Sequence, residues 1–165
     1  MIYPQASNPM PTRIRTARPD EIEPIFAIHR DAVITQCAGH YTDAQIRDWL
    51  AGRTAEMYLP AIEAGRLWVA DDGAVIGFVE IDGRELTKLF VRGDRATRGV
   101  GRRLLETAID AIRATGARAV VLEATLNARA FYARHHFIEI GRGEFSHGAG
   151  GTALEIVKME LVLPT

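Results

Sequence analysis

The sequence predicts a single α/β domain in which a mixed β-sheet is flanked by helices, and three observations carry that expectation. Apolar runs at 66–70, 74–81 and 85–91 are separated by Asp71-Asp72-Gly73 and by Asp82-Gly83. Asp-Gly steps favour tight hairpin turns, so these strands pair antiparallel. The run that ends at Val91 is followed by a helical pattern and then by a second apolar run at 119–122. A strand–helix–strand passage of this kind sets its two strands parallel, so the sheet is mixed. Finally, 165 residues of 47% hydrophobic composition build one core and are too few for two comfortable domains.

Residues 1–11, with three prolines and no periodicity, read as a flexible tail ahead of a domain at 12–165, and Met10 is an alternative start. Residues 12–17 form a short first strand. Asp20 and Glu23 make a D-x-x-E capping pair, after which Ile25, Ile28, His29, Ala32 and Val33 recur at helical spacing, with Pro24 confined to the first turn. Residues 37–41 break that helix. The next begins at Thr42 or Asp43 and turns Ile46, Trp49 and Leu50 inward, and residues 55–64 continue as a short helix. Val100, Leu104, Leu105, Ala108, Ile109 and Ile112 form one apolar face of a helix that opens at 99–101 and stops at Gly116. Two final strands follow at 137–140 and 153–163, with residues 141–151, centred on His147, as a flexible loop that closes over a substrate.

Gly99 and Gly101 therefore sit at a helix N-terminus. There the first N–H groups lack intrahelical partners and the peptide dipoles add roughly half a positive charge, so backbone alone can hold an anion. The Walker pattern needs a Gly-Lys-Ser/Thr that the chain lacks, and G-x-G-x-x-G fails at Leu104. What fits is R/Q-x-x-G-x-G/A, and the stretch 89–105 resembles the acyl-CoA pyrophosphate loop of the GNAT superfamily of N-acetyltransferases. Ala96 stands where that pattern has Arg or Gln, with Arg95 and Arg98 beside it. A second stretch, Asn127-Ala128-Arg129-Ala130-Phe131-Tyr132-Ala133-Arg134-His135-His136-Phe137, resembles a shortened N-x-x-A-x-x-F-Y-x-x-x-G-F signature of the same family, with His136 in the glycine position. Two signatures in the expected order are far more specific than one, and the resemblance covers residues 14–161.

The resemblance implies the GNAT fold: a mixed, mostly antiparallel twisted sheet with a central splayed parallel strand pair, flanked by helices. It implies transfer of an acetyl group from acetyl-CoA, the expected cosubstrate, to a primary amine by direct attack in a ternary complex. Pantetheine would lie in the splayed gap like a missing strand, on backbone groups of Leu89, Phe90 and Val91, one of whose N–H groups would stabilise the oxyanion. The phosphates would meet Arg95, Thr97, Arg98, Gly99, Val100, Gly101 and Arg102, and Asn127, a candidate N-cap, would touch the cofactor beside Tyr132. An alkylamine has a pKa of roughly 10 and attacks only when uncharged, so a base is needed. Glu85 leads, with Glu80 and Glu123 behind it. Tyr132 matches the family's general acid, and a phenol of pKa about 10 protonates a thiolate of about 8.5 at a cost of only ~2 kcal/mol. On the acceptor side, His29, His40, Tyr41 and His147 are the substrate-binding candidates. His29, a histidine on an apolar face, also reads as a packed core residue.

A formal net charge of -1 argues against a general nucleic-acid binder, although Arg92, Arg95, Arg98, Arg102 and Arg103 cluster beside the glycine loop. Cys37, the single cysteine, makes no internal disulfide, and no secretory signal or spanning apolar stretch is seen, so a cytoplasmic protein without membrane contact is expected. No metal site is expected, and a homodimer is allowed for. Two other readings remain open: an acyl-CoA-binding sensor or partner module without efficient turnover, and an acetyltransferase for protein lysines or N-termini.

Overall fold

The computed structural model describes residues 11–95, 99–145 and 153–165. Ala96, Thr97, Arg98 and His147, together with the flexible tail expected at the N-terminus, lie outside the described residues. The described residues form seven strands: β1 (Arg13–Thr16), β2 (Leu67–Asp71), β3 (Val75–Asp82), β4 (Glu85–Val91), β5 (Ala119–Thr125), β6 (Ile138–Glu144) and β7 (Glu155–Val162). The helices are α1 (Ile22–Gln36), α2 (Asp43–Leu50), α3 (Leu59–Glu63), α4 (Val100–Ala114) and α5 (Arg129–Arg134).

One sheet runs in the order β1-β2-β3-β4-β5-β7-β6. Its neighbours are antiparallel except β4 and β5, which are parallel, so the mixed sheet expected from the turn chemistry is the one that forms. Gly73 supplies the hairpin turn between β2 and β3 at φ +110°, and its N–H donates to Asp71 Oδ1 at 2.8 Å. Among the described residues, β4 and β5 are registered through Glu85–Val121 and Leu86–Leu122. Beyond Leu86 the two strands diverge and leave a wedge.

The apolar spacing of α4 lands as expected. Val100, Leu104, Leu105, Ala108 and Ile112 are buried against Val79, Ile81, Leu86 and Val91 on one face of the sheet. Each of the larger side chains contributes about 1.5–3 kcal/mol by leaving water. On the other face Ile25 and Ile28 of α1 pack with Tyr58, Val69 and Phe78. A third cluster joins Val33, Cys37, Tyr41, Ile46, Trp49 and Leu154. The sheet is thus covered on both sides, and α1 with α2 stands over the open end of the wedge.

Three local expectations are corrected. The Asp20/Glu23 capping pair does not form; a 3-10 turn at Pro19–Glu21 precedes α1, and the reciprocal cap is made by Arg18 and Glu21. Glu21 wins because its carboxylate also receives both terminal nitrogens of Arg15, at 2.9 and 2.6 Å, while Arg15 reaches Asp71 at 3.0 Å. Asn127 does not cap α5: Ala128 is the N-cap, and Asn127 Oδ1 instead faces the Cys37 thiol, which donates to it at 3.4 Å. Residues 141–144, expected in a loop, extend β6, because β7 offers them a ladder up to Glu155.

Candidate active site

The wedge between β4 and β5 opens into two cavities that share a wall. The first, of about 50 Å³, is bounded by residues 86–90 of β4, residues 122–125 of β5, and by His29, Trp49, Arg53 and Phe145 on the helical side. The second is lined by Gln36, Leu89, Val91, Gly101, Asn127 and Phe131. Leu89, Ala128 and Tyr132 line both. Tyr132 is 6% exposed, and burial pushes its phenol above the ordinary tyrosine range, so it carries its proton at neutral pH.

The second cavity ends at the start of α4. Gly99 takes a left-handed conformation, φ +74°, that turns the chain from the loop into the helix, and a Cβ built there would meet nothing within 4 Å. Gly101 packs its bare Cα near the Phe131 ring, where a Cβ would sit at 3.5 Å. Gln36 Nε2 donates to Val91 O at 3.2 Å, marking one β4 carbonyl as reachable from the cavity side. The described arginines nearby are engaged locally. Arg95 bonds Asp72 at 3.2 Å, Arg102 bonds Glu106 at 2.9 Å, and Arg103 donates to Thr12 O at 2.6 Å. The Arg95–Asp72 bond braces the loop against the β2–β3 turn.

In the first cavity the chemistry is richer than the sequence suggested. His29 is 2% exposed, stacks on Phe90 at 4.3 Å between ring centres, and shares a 2.5 Å hydrogen bond through Nδ1 with Tyr58 Oη. Burial first, then the charges of Arg53 and Lys88, lower its pKa to about 3, so the imidazole is neutral. Among the described residues its Nε2 and the Trp49 Nε1 are buried polar atoms with no hydrogen-bond partner. A buried polar atom left without a partner costs about 1–3 kcal/mol.

Of the three candidate bases, Glu123 is the one that lines the cavity. Glu85 sits where β4 and β5 are still paired, outside the walls of both cavities. Glu80 is buried and committed: its Oε1 accepts from Thr87 Oγ1 at 2.8 Å and from Lys88 Nζ at 2.9 Å. Of the acceptor-side candidates, His29 reaches the cavity. His40 is exposed and lines neither cavity. Tyr41 is spent on structure, since its hydroxyl donates to Glu155 O at 2.6 Å and accepts from Leu126 N–H at 3.1 Å. Trp49, Arg53 and Lys88 line the cavity without having been marked as site residues by the sequence. Trp49 both packs in the third core cluster and lines the first cavity, a double role that only the fold reveals.

The family model described as an acetyltransferase (GNAT) domain matches residues 37–163. No curated protein matches the chain. Among solved structures, a GCN5-related N-acetyltransferase from Rhodopseudomonas palustris is similar with a TM-score of 0.84 and 23% identity, over 94% of this chain and 98% of that one. PaiA N-acetyltransferase from Thermoplasma acidophilum, solved with coenzyme A, gives a TM-score of 0.70 and 20% identity, over 93% of this chain and 99% of that one. YncA from Salmonella typhimurium, solved with its cofactor acetyl-CoA, gives a TM-score of 0.70 and 21% identity, over 94% and 95%. At these identities the structural likeness speaks to the fold.

Proposed function

Since the chain belongs to the GNAT acetyltransferase family, we propose that it transfers an acetyl group from acetyl-CoA to the primary amine of a small molecule, by direct attack in a ternary complex. The observation that carries this reading is the position of Tyr132, which lines both cavities where they meet in the wedge. A thiol bound along one cavity and an amine bound in the other would come together beside its hydroxyl.

The second cavity fits the cosubstrate. Leu89 and Val91 present a strand that β5 has left, Gly99 and Gly101 keep the start of α4 clear of side chains, and Asn127 and Phe131 close the far wall. Main-chain groups of the strand would hold the pantetheine, and the N-terminus of α4 would hold the pyrophosphate. Acetyl-CoA, when bound, supplies the acetyl group as a thioester. Tyr132 holds a proton at its phenol oxygen and gives it to the departing sulfur. Glu123 takes the proton that the acceptor nitrogen sheds as it is acylated. The apolar walls, Leu86, Leu89, Phe90, Leu122 and Phe145, keep water from competing with the amine.

The small, partly closed first cavity supports a small acceptor over a folded protein surface. Thiol release from acetyl-CoA, measured against amines, amino acids and short peptides beside calorimetric binding of acetyl-CoA, tests the proposal. Binding with release for a small amine is expected. Binding without release for any acceptor would turn the reading towards a sensor module, and release only with peptides or proteins would replace the acceptor class. Among the described residues no helix is long and apolar enough to cross a membrane.

A further inference from the structure

Two residues on the helical wall of the first cavity, His29 and Trp49, each carry a buried ring nitrogen with no hydrogen-bond partner among the described residues. Trp49 Nε1 can only donate. The role of His29 Nε2 follows from its neighbour. Tyr58 is fully buried, and burial raises its pKa, so it keeps its hydrogen; the acceptor that the structure offers this hydrogen is His29 Nδ1. With Nδ1 accepting and the ring neutral, the imidazole proton resides on Nε2. Both atoms are therefore N–H groups, and they come from α1 and α2.

Charged groups line the same cavity. Arg53 bonds Trp49 O through Nε at 2.8 Å and lines the same wall. Burial holds its pKa below the ordinary guanidinium value. Lys88 lines the strand side, paired with Glu80. Arg53 and Lys88 both oppose protonation of His29, so the potential at that ring is positive. Glu123 is the carboxylate on the strand side. The cavity thus carries donors and a cation on its helical residues, and on its strand residues the Glu123 carboxylate and Lys88, whose charge is paired with Glu80.

We propose that the acceptor is an amine that also bears a carboxylate, such as an amino acid or a small peptide-like acid, with its acid group held by Trp49 Nε1, His29 Nε2 and Arg53 while its amine faces Glu123 and Tyr132. The assignment rests on reading the first cavity as the acceptor site of acetyl transfer. It goes beyond that reading by naming what the acceptor must carry besides nitrogen. A planar anion answers both N–H groups and the guanidinium at once, which a plain alkylamine does not.

The test uses the full chain with acetyl-CoA, a set of free amino acids and dipeptides, and the primary amide of each. Trp49 and Trp68 give the two indole N–H resonances, and Trp49→Phe assigns the one in the cavity. At least one free acid is expected to shift the Trp49 resonance saturably and to be acetylated with a kcat/KM at least tenfold above its amide. Arg53→Gln is expected to reduce that preference to threefold or less, and this variant keeps the test open should Trp49→Phe fold poorly. Amides that shift the resonance and react as well as the acids would overturn the assignment while leaving acetyl transfer standing. A Trp49 resonance that no acid moves would also overturn it. Failure of acetyl-CoA to bind in calorimetry would instead remove the acetyl-transfer reading, and this assignment with it.

Discussion

Lys88 Nζ lies 2.9 Å from Glu80 Oε1, and the two residues face one another in register across β3 and β4. The pair is nearly buried, with 16% and 9% of its side chains exposed, and Thr87 adds a second donor to the same oxygen. A carboxylate so committed is a structural group. Glu80→Gln is expected to cost roughly 3–5 kcal/mol in urea unfolding, because it leaves Lys88 without its charge partner. Glu123→Gln is expected to cost less stability than Glu80→Gln and to lower kcat/KM while acetyl-CoA still binds. The opposite pattern would exchange the roles.

Tyr132→Phe keeps the ring that packs against Phe131 and Phe137 and removes the hydroxyl. Turnover is expected to fall about 10²–10⁴-fold, the range of a lost general acid, with acetyl-CoA affinity nearly unchanged. Stopped-flow thiol release and calorimetry on the same variant separate the two quantities. Unaltered turnover would leave the sulfur to be protonated by water.

Gly99 and Gly101 separate backbone strain from steric filling. Gly99→Ala forces an L residue into the left-handed region and is expected to cost roughly 1–2 kcal/mol of stability, although nothing lies within 4 Å of the added methyl. Gly101→Ala places its methyl 3.5 Å from Phe131, an ordinary contact, so stability is expected to hold while a cavity-facing position is filled. Thermal unfolding with and without acetyl-CoA reads both effects. Gly101→Ala should reduce the ligand-induced rise in Tm.

The neutral, buried His29 predicts a stability slope. Its folded pKa of about 3 lies below the ordinary 6.5, so below pH 6.5 the unfolded chain takes up a proton that the folded chain refuses. Stability is then full above pH 6.5 and falls as pH drops towards 3, by about 2 kcal/mol at pH 5. Glu21 and Asp71, whose carboxylates are held low by Arg15 and the Gly73 N–H, contribute a separate loss that begins below their ordinary values of 4.5 and 3.8. Between pH 5 and 6.5 the slope therefore reports mainly His29, with a smaller share from half-buried His135. His29→Gln is expected to flatten it, and an unchanged slope would place the titration elsewhere.

Tyr41→Phe is expected to act through the fold. It strips a donor from Glu155 O and an acceptor from Leu126 N–H, at about 1–3 kcal/mol for each group left unmet. The urea midpoint should drop, and the acetyl-CoA KM should stay near its starting value.

What the sequence made legible is what repeats or turns locally. The α4 face, the Asp-Gly hairpins and the glycine at the helix start were readable because helical spacing and a positive φ leave marks within a few residues. The Arg18–Glu21 cap was missed because its deciding partner, Arg15, is drawn in by Asp71, which is 56 residues distant in sequence. Tyr41 was read as a pocket residue, and nothing in Cys37-Ala38-Gly39-His40-Tyr41 announces that β7 and the end of β5 will converge on its hydroxyl. Trp49 and Arg53 followed the same rule. Their apolar or polar class was plain, whereas the absence of an acceptor for an indole N–H is a property of the assembled neighbourhood.

Mechanically, the sheet is a book of two leaves, β1 to β4 and β5 to β7, sewn together along the short spine where Glu85 meets Val121 and Leu86 meets Leu122. The angle between the leaves sets the width of the wedge, and a spine this short resists opening weakly. A guest that bonds to one leaf and leans on the other shares the load with the spine. The protein therefore gains stiffness on loading, and slowed amide exchange in residues 123–125, distant from the start of α4, would be its signature.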